Sequence, residues 1–177
     1  MVFAKALDHV DRNIFGEKLK SFGLSEIITD LITSFLRDRQ QRTAIDGYLS
    51  NWAVLRGGIP RESWLRPLVN FILIDNLKLD MLTHKYVDDT TLSEMLGKSQ
   101  VSWMQSAVDE LITWSKANAM DVNTWKTKEM VIGPLTRNPP TQIVIGDRTV
   151  DRVLQFTLLG VTVNEVLKWN DHVVSRK

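Results

Sequence analysis

Tyr86-Val87-Asp88-Asp89 is the stretch on which the interpretation of this chain depends. It stands between residues 81–86 and 90–95, which predict the two strands of a β-hairpin with the aspartates at its tip. Side chains alternate between the faces of a strand, so only a tight turn can bring neighbouring carboxylates toward one point. A divalent cation would relieve their repulsion, and Mg²⁺ prefers carboxylate oxygens together with phosphates. An Asp-Asp pair is also common in simple turns, so the pair alone leaves both interpretations open.

Helices and further strands are predicted on both sides of this hairpin. Gly23 is the expected C-cap of a first helix, and Ser25 and Ser63 are expected N-caps of the next two. The predicted helices are residues 11–22, 25–36, 63–77 and 100–117, and the predicted strands are residues 43–46, 53–55, 129–132, 142–145 and 156–163. This order favours an α+β domain with helices packed on one face of an antiparallel sheet.

The composition is that of an ordinary globular protein. The chain has 177 residues, of which 44% are apolar and 24% charged, enough for one domain with a core or one domain with a small appendage. There is no cysteine, which excludes disulfides and cysteine-ligated zinc, and the three histidines show no metal-ligand spacing. No apolar run is long enough to span a bilayer and no signal peptide is evident, so we expect an intracellular protein, nuclear or cytoplasmic, without membrane contact.

Positive charge is concentrated in one part of the chain. The formal net charge is only +1, yet residues 37–66 contain six arginines against three acids. Contact with the phosphates of a nucleic acid is one interpretation of this cluster. A solvated loop and helix face is the other, and charge alone does not decide between them.

Further motifs accompany the hairpin along essentially the whole chain. They are, in order, residues 3–10, residues 18–24, residues 34–42, Gly58-Ile59-Pro60 with Ser63 and Pro67, Tyr86-Val87-Asp88-Asp89, residues 114–130 around Lys126, and residues 156–172 around Leu159-Gly160. In this order they resemble the reverse transcriptase domains of non-LTR retrotransposons. Each motif alone is weak evidence; their shared order makes the resemblance specific.

The resemblance implies a fold and a domain organisation. Residues 1–150 would form a palm-like antiparallel sheet with helices on one face, and residues 151–177 the primer-grip strand and the start of a connection to the thumb. The fingers would be missing and the thumb mostly missing. These boundaries follow from the family pattern and not from the composition.

The resemblance also implies an activity and a set of site residues. The activity is RNA-directed DNA synthesis by two-metal nucleotidyl transfer on an RNA or DNA template-primer with a dNTP, using Mg²⁺ or Mn²⁺. The implied residues are Asp88 and Asp89 for metal binding and catalysis, Lys126 for catalysis near the nucleotide phosphates, Leu7, Gly58, Pro60, Arg61, Ser63 and Tyr86 for nucleotide binding, and Leu159 and Gly160 for the primer grip.

Several positions depart from the family pattern. The first metal-binding aspartate of the family corresponds to Val2, and a valine cannot bind a metal ion. Leu7 stands where the family has an aromatic residue that screens the ribose 2′-hydroxyl. Arg61 and Glu62 replace a Gln-Gly pair, so a close backbone approach is lost and a negative charge is added near the triphosphate. We therefore expect a catalytically inactive polymerase fragment.

Two other interpretations remain at this stage. The chain could be an active polymerase that is completed by another chain, or a non-catalytic nucleic-acid or protein interaction domain of α+β fold. The upstream half of the first motif strand is absent from the sequence, so one sheet edge would be unpaired, and self-association through that edge is a further expectation.

Overall fold

The computed structural model describes residues 1, 3–4, 10–55, 57–59, 63, 65–87, 89–97 and 99–168, the side chains of residues 4 and 66 excepted. This part of the chain is a mixed α and β structure, which is compatible with the predicted α+β class. Its helices are α1 (Arg12–Ser21), α2 (Glu26–Leu36), α3 (Leu65–Asp75) and α4 (Met104–Ala117), with a short 3₁₀ helix at Gly133–Arg137. None of these helices is long and apolar enough to cross a membrane, within the residues described.

The strands are short and pair two by two. They are β1 (Phe3–Ala4), β2 (Gln40–Gln41), β3 (Ala44–Ile45), β4 (Tyr48–Leu49), β5 (Ala53–Val54), β6 (Leu82–Tyr86), β7 (Asp89–Ser93), β8 (Asp121–Val122), β9 (Lys128–Glu129), β10 (Val144–Ile145), β11 (Arg148–Thr149), β12 (Asp151–Arg152), β13 (Gln155–Leu158) and β14 (Val161–Asn164). In the described part the ladders are β1–β8, β2–β5, β3–β4, β6–β7, β9–β12, β10–β11 and β13–β14. All are antiparallel except β9–β12, so the described strands do not form the single antiparallel sheet that we predicted.

Backbone hydrogen bonds extend one of these ladders. The Met1 amino group donates to the Thr90 carbonyl (2.6 Å), and the Thr90 N–H donates to the Met1 carbonyl (2.8 Å). This reciprocal pair is the pattern of antiparallel strands. Phe3 is paired in turn with Val122 of β8. Met1 and β1 therefore lie between β7 and β8, and the order across this layer is β6, β7, Met1 with β1, and β8.

The ends of α1 follow the sequence prediction. The Asp11 carboxylate accepts hydrogen bonds from the N–H groups of Asn13 (2.8 Å) and Ile14 (3.1 Å), which have no partner inside the helix. Gly23 follows the helix with φ of +79° and donates its N–H to the Lys20 carbonyl. Asp11 as the start and Gly23 as the stop are thus confirmed, because each supplies the chemistry that the helix end requires.

The core lies between the helices and the β1–β8 layer. Its fully buried side chains come mainly from α1 and α3, with contributions from β1 and α4. They are Phe3, Val10, Phe15, Leu19, Leu36, Ile59, Val69, Ile72, Leu73, Ile74, Leu77, Leu111 and Met120. Burial of each large apolar side chain contributes roughly 1.5–3 kcal/mol, so this cluster holds the helices against the strands.

Helix α2 is oriented against its sequence pattern. An apolar stripe at helical spacing ordinarily packs on the core. Here the inward residues are Thr29, Thr33 and Leu36, whereas Ile27 and Leu31 are exposed. Thr33 packs against α1 at Gly16, where an added Cβ would lie 3.8 Å from the threonine methyl group. The small residues of this contact bring the two helices together and leave the apolar face of α2 toward solvent.

A buried lysine joins three helices. The Lys18 amine on α1 donates hydrogen bonds to the Leu73 carbonyl at the end of α3 and to the Asn76 side chain. It also lies 5.1 Å from the centre of the Trp114 ring of α4. Burial lowers the pKa of Lys18 to about 8; the Asp75 carboxylate raises it and the Lys85 ammonium lowers it further. The charged form is therefore disfavoured by folding.

This shift predicts a pH dependence of stability. The folded pKa of Lys18 is about 8 and the ordinary value is 10.5, so between these pH values the unfolded chain binds the extra proton. Raising the pH across this window should stabilise the fold by on the order of 2–3 kcal/mol. We expect the melting temperature of the wild type to gain roughly 5 °C relative to Lys18→Met, in which this titration is removed.

Thermal melts followed by circular dichroism at several pH values test this expectation. Lys20→Met is the matched control, because Lys20 lies on the same helix but is exposed. It should keep the wild-type pH dependence. If the melting temperatures of the wild type and Lys18→Met changed equally with pH between about 8 and 10.5, the assigned pKa would be contradicted.

Candidate functional site

The β6–β7 hairpin ends in a two-residue turn. Tyr86 is paired with Asp89, so the turn lies between them, and Val87 is its described residue. Asp89 is thus the first residue of β7, not a turn residue as we predicted. Asp88 lies outside the described residues. Val87 has φ of +52°, a left-handed conformation that costs a β-branched residue free energy. The strain therefore falls in the turn between Tyr86 and Asp89.

Alternation assigns the hairpin side chains to two faces. Paired residues share a face, so Tyr86 and Asp89 lie on one face, together with His84 and Thr91. Tyr86 and His84 are exposed and Asp89 is half-buried, so this face is open. Thr90 lies on the other face and is fully buried. The hairpin therefore presents the Asp89 carboxylate on its accessible side.

Asn70 of α3 holds the turn through a side-chain hydrogen bond. Its side-chain amide donates a hydrogen bond of 2.6 Å to the Val87 carbonyl. Asn70 is only 4% exposed, and its own Oδ1 has no partner among the described residues. A buried amide committed to one backbone carbonyl can hold a strained conformation in place. We missed this residue, although a lone polar side chain among the buried positions Val69, Ile72 and Leu73 was a usable signal.

The start of the chain lies beside this turn. Met1 pairs with Thr90, and burial lowers the pKa of its amino group while the Asp89 carboxylate raises it. Phe3 packs in the core and pairs with β8. The two described neighbours of position 2 therefore lie in the layer next to β7, although Val2 itself lies outside the described residues.

Lys126 belongs to a loop that follows β8. The Asn123 side chain accepts hydrogen bonds from the N–H groups of Trp125 and Lys126, both 3.1 Å, and thereby shapes the loop. Since Met1 and Phe3 lie between β7 and β8, the two strands are roughly 10 Å apart. Lys126 is exposed, and its loop follows β8, which belongs to the same layer as β7.

The predicted nucleotide-binding residues are described only in part. Gly58 has φ of +81°, a conformation that glycine adopts without strain. The Ser63 hydroxyl accepts a hydrogen bond of 3.2 Å from the N–H of Leu65, so this serine caps α3 as predicted. Leu7, Pro60 and Arg61 lie outside the described residues.

The predicted primer-grip segment is a hairpin. We expected one strand over residues 156–163, but β13 and β14 pair with each other and are joined by Leu159 and Gly160. Both turn residues have positive φ, +50° and +81°. An open cavity lies at the base of this hairpin between Val153 and Val166, and none of the predicted site residues lines it.

The described residues provide only part of a metal site. No group of three or more potential ligand residues occurs among them. Asp89 is the described carboxylate at the hairpin turn, and Asp88 would have to supply the next ligand. The donor set needed for two metal ions is therefore not assembled by the described part of the chain.

Comparison with known proteins shows a similarity to a polymerase of a mobile element. No family model matches the chain. The chain is 22% identical over 160 residues to the RNA-directed DNA polymerase from mobile element jockey of Drosophila melanogaster, an alignment that covers 82% of the chain. It spans only 17% of the length of that relative. The similarity supports a reverse-transcriptase-like origin.

Proposed function

We propose that this chain is a palm-like region of a retrotransposon reverse transcriptase that has lost nucleotidyl transfer. One observation carries the proposal. The hydrogen bonds between Met1 and Thr90 bring the first motif segment next to the Tyr86–Asp89 hairpin, although 89 residues separate them in sequence. A polymerase palm needs these two segments side by side, because they carry the carboxylates that hold its metal ions.

The metal would be held by Asp88 and Asp89. A divalent cation there would stabilise the charge on the reacting phosphate oxygens. Val2 stands at the position of the missing carboxylate and offers no oxygen. Weak binding of Mg²⁺ and loss of most of the rate follow, since electrostatic stabilisation is usually the largest catalytic term.

The remaining motif residues would bind the substrates. Gly58, Pro60, Ser63 and Tyr86 would contact the incoming nucleotide, with Leu7 as a weak screen against ribose. Lys126 would lie near its phosphates, because its loop follows the strand beside the first motif. Glu62 would repel the triphosphate, whereas Arg61 would attract it. Leu159 and Gly160 would approach the primer.

Binding and extension of an RNA template with a DNA primer test this function together. We expect the chain to bind the duplex in the micromolar range at low salt and to lose affinity as salt rises, because phosphate contacts release counterions. Extension with Mg²⁺ or Mn²⁺ should not exceed that of Asp89→Ala. Asp109→Ala, which removes an exposed acid on α4, is the control for nonspecific charge effects.

Two results would contradict the proposal. Absence of binding at tens of micromolar protein would remove the nucleic-acid partner. Synthesis well above the Asp89→Ala level would show an active polymerase, as expected if Val2 is tolerated.

A second candidate is a non-catalytic nucleic-acid-binding domain. The segment from residue 40 to residue 54 is exposed throughout and forms a protruding hairpin. A bulge between its two ladders places Trp52 opposite Arg42, whose guanidinium lies 4.5 Å from the indole ring. Arginine with an exposed aromatic ring is a common surface for single-stranded nucleic acid. Loss of binding in Trp52→Ala but not in Asp89→Ala would favour this candidate.

A further inference from the structure

Helix α2 presents an unpartnered apolar face. Ile27 is 82% exposed and Leu31 68% exposed, and Ile28 and Phe35 are also exposed. These residues lie on one side of the helix because positions three and four apart are neighbours. The threonines that an amphipathic helix would turn outward are buried against α1 instead. Contiguous apolar surface of this kind on a soluble domain commonly marks an interaction site.

The charges at the two ends of this face are opposite. Glu26 and Asp30 lie in the amino-terminal half of α2, and both are exposed. Arg37 and Arg39 follow its carboxyl end with the exposed Asp38 between them, so this end keeps a net positive charge. The Arg39 guanidinium lies 5.7 Å from the centre of the Phe35 ring. A surface with an acidic end, an apolar middle and a basic end is complementary to a copy of itself turned through 180°.

We infer that two copies of this chain associate through α2, with the helices antiparallel about a two-fold axis. In such an isologous interface both copies use the same surface. Leu31 and Phe35 of one copy therefore pack on Leu31 and Phe35 of the other. Asp30 of each copy then faces Arg37 of its partner. The acidic and basic ends attract one another at both ends of the helix pair.

The area limits the strength of the dimer. A standard interface buries about 800 Å² per partner. Four large apolar side chains would reach that value only if each contributed about 200 Å², and these four are partly covered already. A dissociation constant on the order of 10 µM is therefore expected. This interface lies on α2 and is therefore distinct from the sheet edge that the sequence suggested, which stays a prediction.

Sedimentation velocity of the full chain, from about 1 to about 200 µM, tests the inference. The wild type should shift from monomer to dimer within this range. Leu31→Glu should weaken the association at least tenfold, because it buries a charge at the centre of the interface. Leu154→Glu is the matched control, since Leu154 is also 68% exposed but lies outside α2. It should leave the dimer unchanged.

A charge exchange tests the antiparallel arrangement. Asp30→Arg alone and Arg37→Glu alone should each weaken the dimer a few-fold, and the double variant should restore it. A wild type that stays monomeric at every concentration would overturn the inference. So would equal effects of Leu31→Glu and Leu154→Glu, or a double variant weaker than both single variants. These outcomes do not depend on nucleic-acid binding, so they leave the proposed function to its own test.

Discussion

Replacing Asn70 by aspartate should cost about 3–5 kcal/mol of folding free energy at neutral pH. The substitution keeps the shape of the side chain but removes the N–H that donates to the Val87 carbonyl. It also places a carboxylate against a carbonyl oxygen in a site that is 4% exposed. With the donor gone, nothing described holds Val87 at its positive φ, so the turn that precedes Asp89 should loosen as well.

The loss should depend on pH. Burial would raise the pKa of the new carboxyl group above its unfolded value. A protonated carboxyl can donate to Val87, so the variant gains stability as pH falls and loses it as pH rises through the folded pKa. Part of the lost stability should therefore return near pH 5.

Urea unfolding at pH 5 and pH 7 measures this effect. Asn123→Asp is the matched control, because Asn123 only accepts hydrogen bonds through its side-chain oxygen and an aspartate keeps both. Its free energy of unfolding should change by less than about 1 kcal/mol. An Asn70→Asp protein as stable as the control at both pH values would show that Asn70 does not hold the turn.

The sequence predicted the hairpin and the ends of α1 well. Alternating residues on both sides of Val87 and position 88 predict strands, and Asp11 and Gly23 carry the capping chemistry in their own side chain and backbone. Such local signals need no knowledge of the rest of the fold. The predicted start of the second strand was off by one residue, because Asp89 pairs with Tyr86 across a turn in which Val87 adopts a strained φ.

The orientation of α2 could not be predicted from periodicity. The repeat of Ile27, Leu31 and Phe35 indicates a helix but does not say which face meets the core. Close contact between Gly16 and Thr33 decides that question, and it joins two helices. The hydrogen bond from Asn70 to the Val87 carbonyl is likewise a tertiary contact, formed across 17 residues of sequence.

The prediction for the primer-grip segment was wrong for a local reason. Residues 156–163 are rich in strand formers, which predict one continuous strand. Gly160 was the available turn signal, and the positive φ of both Leu159 and Gly160 makes the chain reverse there. For Asp88, Leu7, Pro60 and Arg61 the predictions stand as predictions.

Restoring a carboxylate at position 2 should have the largest effect on metal binding. Val2→Asp would add an oxygen ligand at position 2. The chain neighbours of this position are Met1, which pairs with Thr90 of β7, and Phe3, which pairs with Val122 of β8. A further carboxylate should tighten Mn²⁺ binding about 10- to 100-fold, or roughly 1.4–2.7 kcal/mol. The gain should vanish in Val2→Asp combined with Asp89→Asn, because the two carboxylates would share the ion.

Isothermal titration of Mn²⁺ into the wild type, Val2→Asp and the double variant tests the central claim most directly. We predict millimolar binding by the wild type, at least tenfold tighter binding by Val2→Asp, and a return to the weak level in the double variant. Equal affinity of the wild type and Val2→Asp would contradict it, since the hairpin and the first segment would then not share a metal site.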